Sequence, residues 1–185
     1  MPEMIMMDAE ERMEHSLNAL HREFSTIRSG RANPKMFERV TVDYYGALSP
    51  INQVAAVTVP EGNQLYIKPF DKSLLGKIEK AILAANLGVT PNNDGSGLRI
   101  VLPQMTEERR KESVKTIHKM AEDNKIAIRN VRRDAISEIK KLEKDKKLSE
   151  DESTFYQEEI QKITDKFIVR VDGIFAEKER EIMHI

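Results

Sequence analysis

Four histidines are the first residues in this chain that could do chemistry, and their spacing argues against it. His15 and His21 stand six apart, so at about 100° per residue they leave a helix on faces roughly 120° apart. His118 and His184 each stand alone, with no second histidine near in the sequence. The 185 residues include no cysteine and no HExxH pair, which removes thiolate chemistry and leaves no metal motif. Gly95-Ser96-Gly97 lacks the third glycine of a dinucleotide loop and the lysine of a phosphate loop. It also lacks the strand-then-helix setting of either, so a hairpin turn is the better reading. Acids are plentiful, but they sit on helix faces where solvation or ion pairing accounts for them. The residues give no reason to propose an enzyme, a metal or a cofactor.

Basic residues between 106 and 148 say more. At about 100° per residue, Lys111, Lys115, Lys125, Arg129, Arg133 and Lys140 fall within roughly 40° of Arg129's direction. Arg132 lies between this ridge and the apolar seam of the same helix, and Glu122 is an acid within the stripe. Two readings fit. The ridge is either a solvated face paired with acids elsewhere, or a row of arginine forks for anionic oxygens. Aromatic residues are only 5% and tryptophan is absent, so base stacking does not dominate. A rigid basic rod suits structured RNA recognised by shape and backbone.

Charge is divided along the chain although the net charge is −1. Residues 1–30 carry 3 basic and 6 acidic groups, residues 106–148 carry 14 and 9, and residues 149–185 carry 5 and 10. Such asymmetry serves an anionic partner or lets helices attract one another. No apolar run approaches the roughly 18 residues that would span a bilayer. The start, Met1 to Asp8, has neither the basic region nor the apolar length of a signal peptide, so the cytoplasm is expected.

The elements that must position these groups follow from periodicity. Met6, Met13, Leu20 and Ile27 recur every seven residues, with Leu17 and Phe24 between, giving an amphipathic helix that runs to Ser29-Gly30. Residues 40–44, 54–59, 65–68 and 98–102 are short, β-branched or aromatic, and bounded by Gly or Pro, so they read as strands. Asp71 to Asn86 has helical spacing and Gly88 closes it, while Asn92 to Gly95 is a turn signal. Residues 106–148 contain no Gly or Pro and show Val114, Ala121, Ile128, Ala135 and Leu142 seven apart. Ser149-Glu-Asp-Glu152 is a capping box opening a last helix with Tyr156, Ile160, Ile163, Phe167, Val171 and Ile174 on one face. The expected architecture is α+β: residues 1–30 with 106–185 form a long antiparallel three-helix bundle, and residues 31–105 form a small inserted domain. Ser29, Gly30 and Arg31 on one strand of the connection, and Pro103, Gln104 and Met105 on the other, would make a hinge.

Two segments then resemble a known family. They are Ile27-Arg-Ser-Gly-Arg-Ala-Asn-Pro34 with Tyr44-Tyr45-Gly46, and Leu102-Pro-Gln-Met-Thr-Glu-Glu-Arg-Arg-Lys111 with Arg129-Asn130 and Val131-Arg-Arg-Asp-Ala135. In order, spacing and length the chain resembles the bacterial ribosome recycling factors. The resemblance implies an L-shaped monomer with an inserted β/α/β domain, binding the post-termination ribosome through large-subunit rRNA. It implies splitting of that ribosome together with elongation factor G, whose GTP hydrolysis supplies the energy. The family's functional arginines fall on Arg110, Arg129, Arg132 and Arg133, and Arg28 and Arg31 at the hinge also face RNA on this reading. A coiled-coil adaptor using the same heptads is the alternative class, and a metal- or nucleotide-dependent enzyme is a third.

Overall fold

A computed structural model describes residues 1–183; His184, weighed above as a lone histidine, lies outside the described residues. In chain order the elements are α1 (Pro2–Ser25), β1 (Thr41–Tyr44), β2 (Ala47–Pro50), a single helical turn α2 (Ile51–Val54), β3 (Ala55–Glu61), β4 (Gln64–Pro69), α3 (Leu75–Ala84), β5 (Pro91–Asn93), β6 (Leu98–Val101), α4 (Glu107–Lys144) and α5 (Glu150–Met183). Two 3₁₀ turns, Pro34–Phe37 and Lys72–Leu74, precede β1 and α3. The described chain divides into two compact units: Met1–Arg28 with the residues from Glu107 onward, and Ser29–Thr106.

The first unit is helical. The stripes of α1, α4 and α5 bury one shared core in which Met13, Leu17, Ile117, Ile128, Ile139, Ile160 and Val171 are at most 1% exposed. Side-chain bonds fix the directions. Arg12 donates to Asp134 (3.1 Å) and Asn124 to the Ser16 carbonyl (2.7 Å), so α1 and α4 run antiparallel. Tyr156 donates to Glu3 (2.8 Å) and Arg170 to Glu14 (2.8 and 3.2 Å), so α1 and α5 run parallel. The buried hydroxyls have partners: Thr164 donates to the Ile160 carbonyl (2.8 Å) and Ser153 to Glu143 (2.9 Å).

Helix ends differ from periodicity where side chains compete for the backbone. The sequence carries the first helix to Ser29-Gly30, but α1 ends at Ser25. There the Ser25 and Thr26 hydroxyls donate back to the carbonyls of Arg22 (2.6 Å) and Glu23 (2.7 Å), an alternative to continuing the ladder. Gly30, at φ 77°, still takes the left-handed conformation, four residues beyond the cap at Thr26. The box at the start of α5 forms as read: the Ser149 N–H donates to Glu152 (2.8 Å) and the Glu152 N–H to the Ser149 hydroxyl (3.1 Å).

The second unit has six strands rather than the four read from composition. β1 and β2 form a hairpin whose two central residues, Tyr45 (φ 51°) and Gly46 (φ 82°), both take positive φ, as a mirror-image turn requires. A separate antiparallel sheet has the order β3-β4-β6-β5. Leu65, Ile67, Leu98 and Ile100 from this sheet share a core with Ile78 and Ile82 of α3, all 0% exposed. Asn92 and Asn93 lie in β5, so the turn begins one residue after them. Asp94 there accepts from the N–H groups of Ser96 (2.9 Å) and Gly97 (2.8 Å). A side chain at Gly97 would come within 2.7 Å of the Tyr66 ring and the Ile67 carbonyl, so this glycine serves close packing and no phosphate cradle. α3 stops at Ala84, and Asn86 (φ 50°) makes the left-handed exit ahead of Gly88 (φ 73°).

Removing the Ser149 cap has a measurable cost. Ser149→Ala is expected to lower bundle stability by about 1 kcal/mol, and Ser149→Gly by only a few tenths. Urea melts followed by circular dichroism at 222 nm read the difference.

Candidate nucleic-acid interface

α4 holds its cations on a rod of 38 residues uninterrupted by Gly or Pro. One flank faces α1, through Asp134 and Asn124. The other faces α5, where His118 meets Phe175 edge-on (5.7 Å), Lys125 meets Asp172 and Arg132 meets Gln161. The basic ridge follows that second flank, so its members divide between the helix–helix seam and solvent.

Lys125 belongs to the seam. Its ammonium lies 2.5 Å from Asp172 and 3.4 Å from Glu122, with its side chain 15% exposed. The Asp172 hydrogen bond, outweighing the cost of partial burial, raises its pKa above the usual 10.5. Lys125 therefore stays charged but spends that charge on α5. Lys111 sits beside Glu107 (3.5 Å) with both side chains largely exposed, a pair of little energetic weight. Arg129, Arg133, Lys115 and Lys140 are exposed, and among the described residues none of them has an acidic partner.

Arg132 is half-buried. Its Nη1 donates to the Gln161 side chain (3.1 Å), Gln161 donates on to Asp165 (2.8 Å), and the buried Nε has no partner. That clamp fixes one end of a planar guanidinium and leaves Nη2 for an outside acceptor. Arg129, Arg132 and Arg133 thus occupy one turn of α4. Arg110 stands 19 residues earlier, about 28 Å along the axis, half-buried and with its Nε also unpartnered. The six sequence-derived arginines are therefore not one cluster. Arg28 ends the helical unit and Arg31 lies in the smaller one, both exposed.

Around the chain crossings, Ser29 is 5% exposed, and its hydroxyl accepts from the Arg31 N–H (3.4 Å). Pro103, Gln104 and Met105 lie in a stretch, 102–106, with neither helix nor strand. Sequence reading missed Asp172, Gln161 and Asp165, which tie Lys125 and Arg132 to α5. Their signal is relational. The pairs Glu143–Ser153, Arg132–Gln161, Lys125–Asp172 and His118–Phe175 step in opposite directions along the two helices, as antiparallel packing requires.

Guanidinium forks held on a straight helix can bind phosphate oxygens at fixed spacing. Among the described residues no three His, Asp or Glu side chains gather to hold a metal ion. No described helix is long and apolar enough to cross a membrane. Releasing Lys125 should strengthen anion binding. Asp172→Asn is expected to steepen the slope of log K against log salt by up to about one unit, read by fluorescence anisotropy with a 20-base-pair RNA duplex. An unchanged slope would mean that this lysine does not reach the ligand.

The comparisons with known proteins agree with one another. The family model described as Ribosome recycling factor matches residues 20–183. The chain is 50% identical over 185 residues to the ribosome-recycling factor of Geobacillus thermodenitrificans, covering all of both chains. It is 51% identical over 181 residues to that of Listeria innocua, covering 98% of each. A solution structure of the ribosome recycling factor aligns with a TM-score of 0.80 at 38% identity, over 100% of this chain and 98% of the other. A second structure is titled as models of the T. thermophilus factor and the E. coli elongation factor G bound to the E. coli post-termination complex. It aligns at TM-score 0.67 and 42% identity over 99% of both chains. A bundle of long helices with a small β-rich unit inserted after the first is thus shared along the whole length with solved structures of 38% and 42% identity, and the chain belongs to the ribosome recycling factor family.

Proposed function

We propose that this chain binds the post-termination ribosome and, with elongation factor G, splits it into subunits so that mRNA and tRNA are released. The observation that carries the reading is the turn of α4 on which Arg129 and Arg133 are exposed without acidic partners beside the clamped Arg132. These three would grip large-subunit rRNA through phosphate oxygens, and Arg110 would add a contact further along the helix. Arg28 and Arg31 would meet RNA beside the hinge formed by Ser29 to Arg31 and Pro103 to Met105. The small unit would receive the push of elongation factor G and turn about that hinge, moving the bundle as one body.

No bond chemistry is assigned to this chain. It acts as a monomer in the cytoplasm, without a cofactor, and GTP hydrolysis belongs to the partner. The adaptor reading needs an open apolar seam for a partner helix. The heptad residues of α1, α4 and α5 are instead spent on one shared core, which favours the ribosomal reading.

Sucrose gradients of post-termination ribosomes test it, with this protein, elongation factor G, GTP and a subunit-trapping factor, and with lanes omitting each. Subunits are expected only when all are present. Arg129→Ala with Arg133→Ala is expected to lower the salt slope of ribosome binding by about two units and to abolish splitting at physiological salt. Intact ribosomes with the protein left at the top of the gradient would sink the proposal.

A further inference from the structure

Between the first half of α4 and the last part of α5 lies a surface hollow that no role above uses. One lobe, of about 540 Å³, is lined by Val114, Lys115, His118, Phe175 and Glu179. A second, of about 290 Å³, adds Lys111 and Met183. The larger lobe has the volume of a small-ligand site, roughly 300–1,000 Å³, but both lobes are shallow and open to solvent.

We propose that this hollow takes one unstacked nucleotide of RNA, a reading that rests on the RNA-binding role proposed for α4. Three features of the lining fit that occupant. First, His118 and Phe175 stand at 78° with centroids 5.7 Å apart, so the two rings form a corner. A flat base stacked on one ring would meet the other with its edge, and stacking on aromatic side chains is how proteins hold splayed-out bases. Second, Lys115 has no acidic partner among the described residues, and Lys111 has only the exposed Glu107 at 3.5 Å. Both stand ready for the nucleotide's phosphate, on the flank of α4 that also carries Arg129 and Arg133. Third, the Glu179 carboxylate on the far wall has no hydrogen-bonded or charged partner among the described residues. A carboxylate accepts from exocyclic amines, which adenine, cytosine and guanine carry and uracil lacks. The charges therefore run in the order of a nucleotide, cationic where phosphate lies and anionic where the amine lies. An apolar metabolite would have no use for that order.

The test uses the intact protein and a 20-base-pair RNA duplex, blunt or carrying a short single-stranded tail with 2-aminopurine. Stacking predicts that the tailed RNA binds roughly five- to 150-fold tighter than the blunt one and that 2-aminopurine fluorescence is quenched. Phe175→Leu, which keeps apolar bulk without the ring, and His118→Ala at an exposed position should each remove the tail's advantage. Blunt-duplex affinity should stay unchanged, with circular dichroism confirming the fold. Glu179→Gln should narrow the preference for a cytidine tail over a uridine tail. Blunt duplex binding with no gain from the tail, or full quenching in Phe175→Leu, would overturn the nucleotide site while leaving the arginine ridge intact. Adenosine monophosphate binding as tightly as the tailed RNA would overturn RNA as the source. Failure of both RNAs to bind would overturn the RNA-binding reading and this one with it.

Discussion

A helix of 38 residues in water carries an apolar stripe it cannot hide by itself, and α4 depends on α1 and α5 to cover it. Isolated, so charged a helix has too little local stability to stay straight; most helical stability comes from packing an amphipathic face. Ile117, Ile128 and Ile139 are 0% exposed because Met13, Leu17, Ile160 and Val171 come to meet them. The arginines of α4 keep their spacing because this core holds the helix in place. A guanidinium on a flexible strand loses entropy at every contact, whereas one on a packed rod has lost most of it already.

The same packing sorts the cations. An antiparallel neighbour on one flank draws Lys125 to Asp172 and Arg132 to Gln161, and the α1 flank gives Arg12 to Asp134. What remains unneutralised is a narrow set facing outward. α4 is therefore a charged helix only in part for its partner and in part for its own bundle. Whether a cation of the ridge is paired is decided residue by residue and not for the ridge as a whole.

Local signals were legible in the sequence and relational ones were not. The capping box at Ser149 and Glu152 and the strands around Leu65 and Leu98 depend on neighbours within a few residues, and each forms as read. β2 was not legible, because Ala47-Leu-Ser-Pro50 has weak strand propensity and is extended by pairing with β1 across the turn. α1 stops early because two hydroxyls compete for its carbonyls, a contest that periodicity does not register. His118 looked solitary because Phe175 lies 57 positions away, and the partner of Lys125 was not visible because Asp172 lies 47 away. A candidate site built from one helix was visible; which of its members were still available depended on the helix beside it.

The division of charge among the three helices also bears on how the protein reaches its target. With a net charge of −1, the chain has almost no overall pull toward a polyanion. Its α4 side is cationic, while α1 and α5 carry the acids, so the bundle behaves as a dipole across its width. Near RNA such a body experiences a torque more than an attraction: it is turned until α4 faces the phosphates, and approaches on the other sides are repelled. A uniformly basic protein of this size would be held by any nucleic acid it met. With the binding role proposed for its arginines, this one would gain a grip only where they register with a shaped surface, and would stay mobile among the many RNAs that offer charge alone.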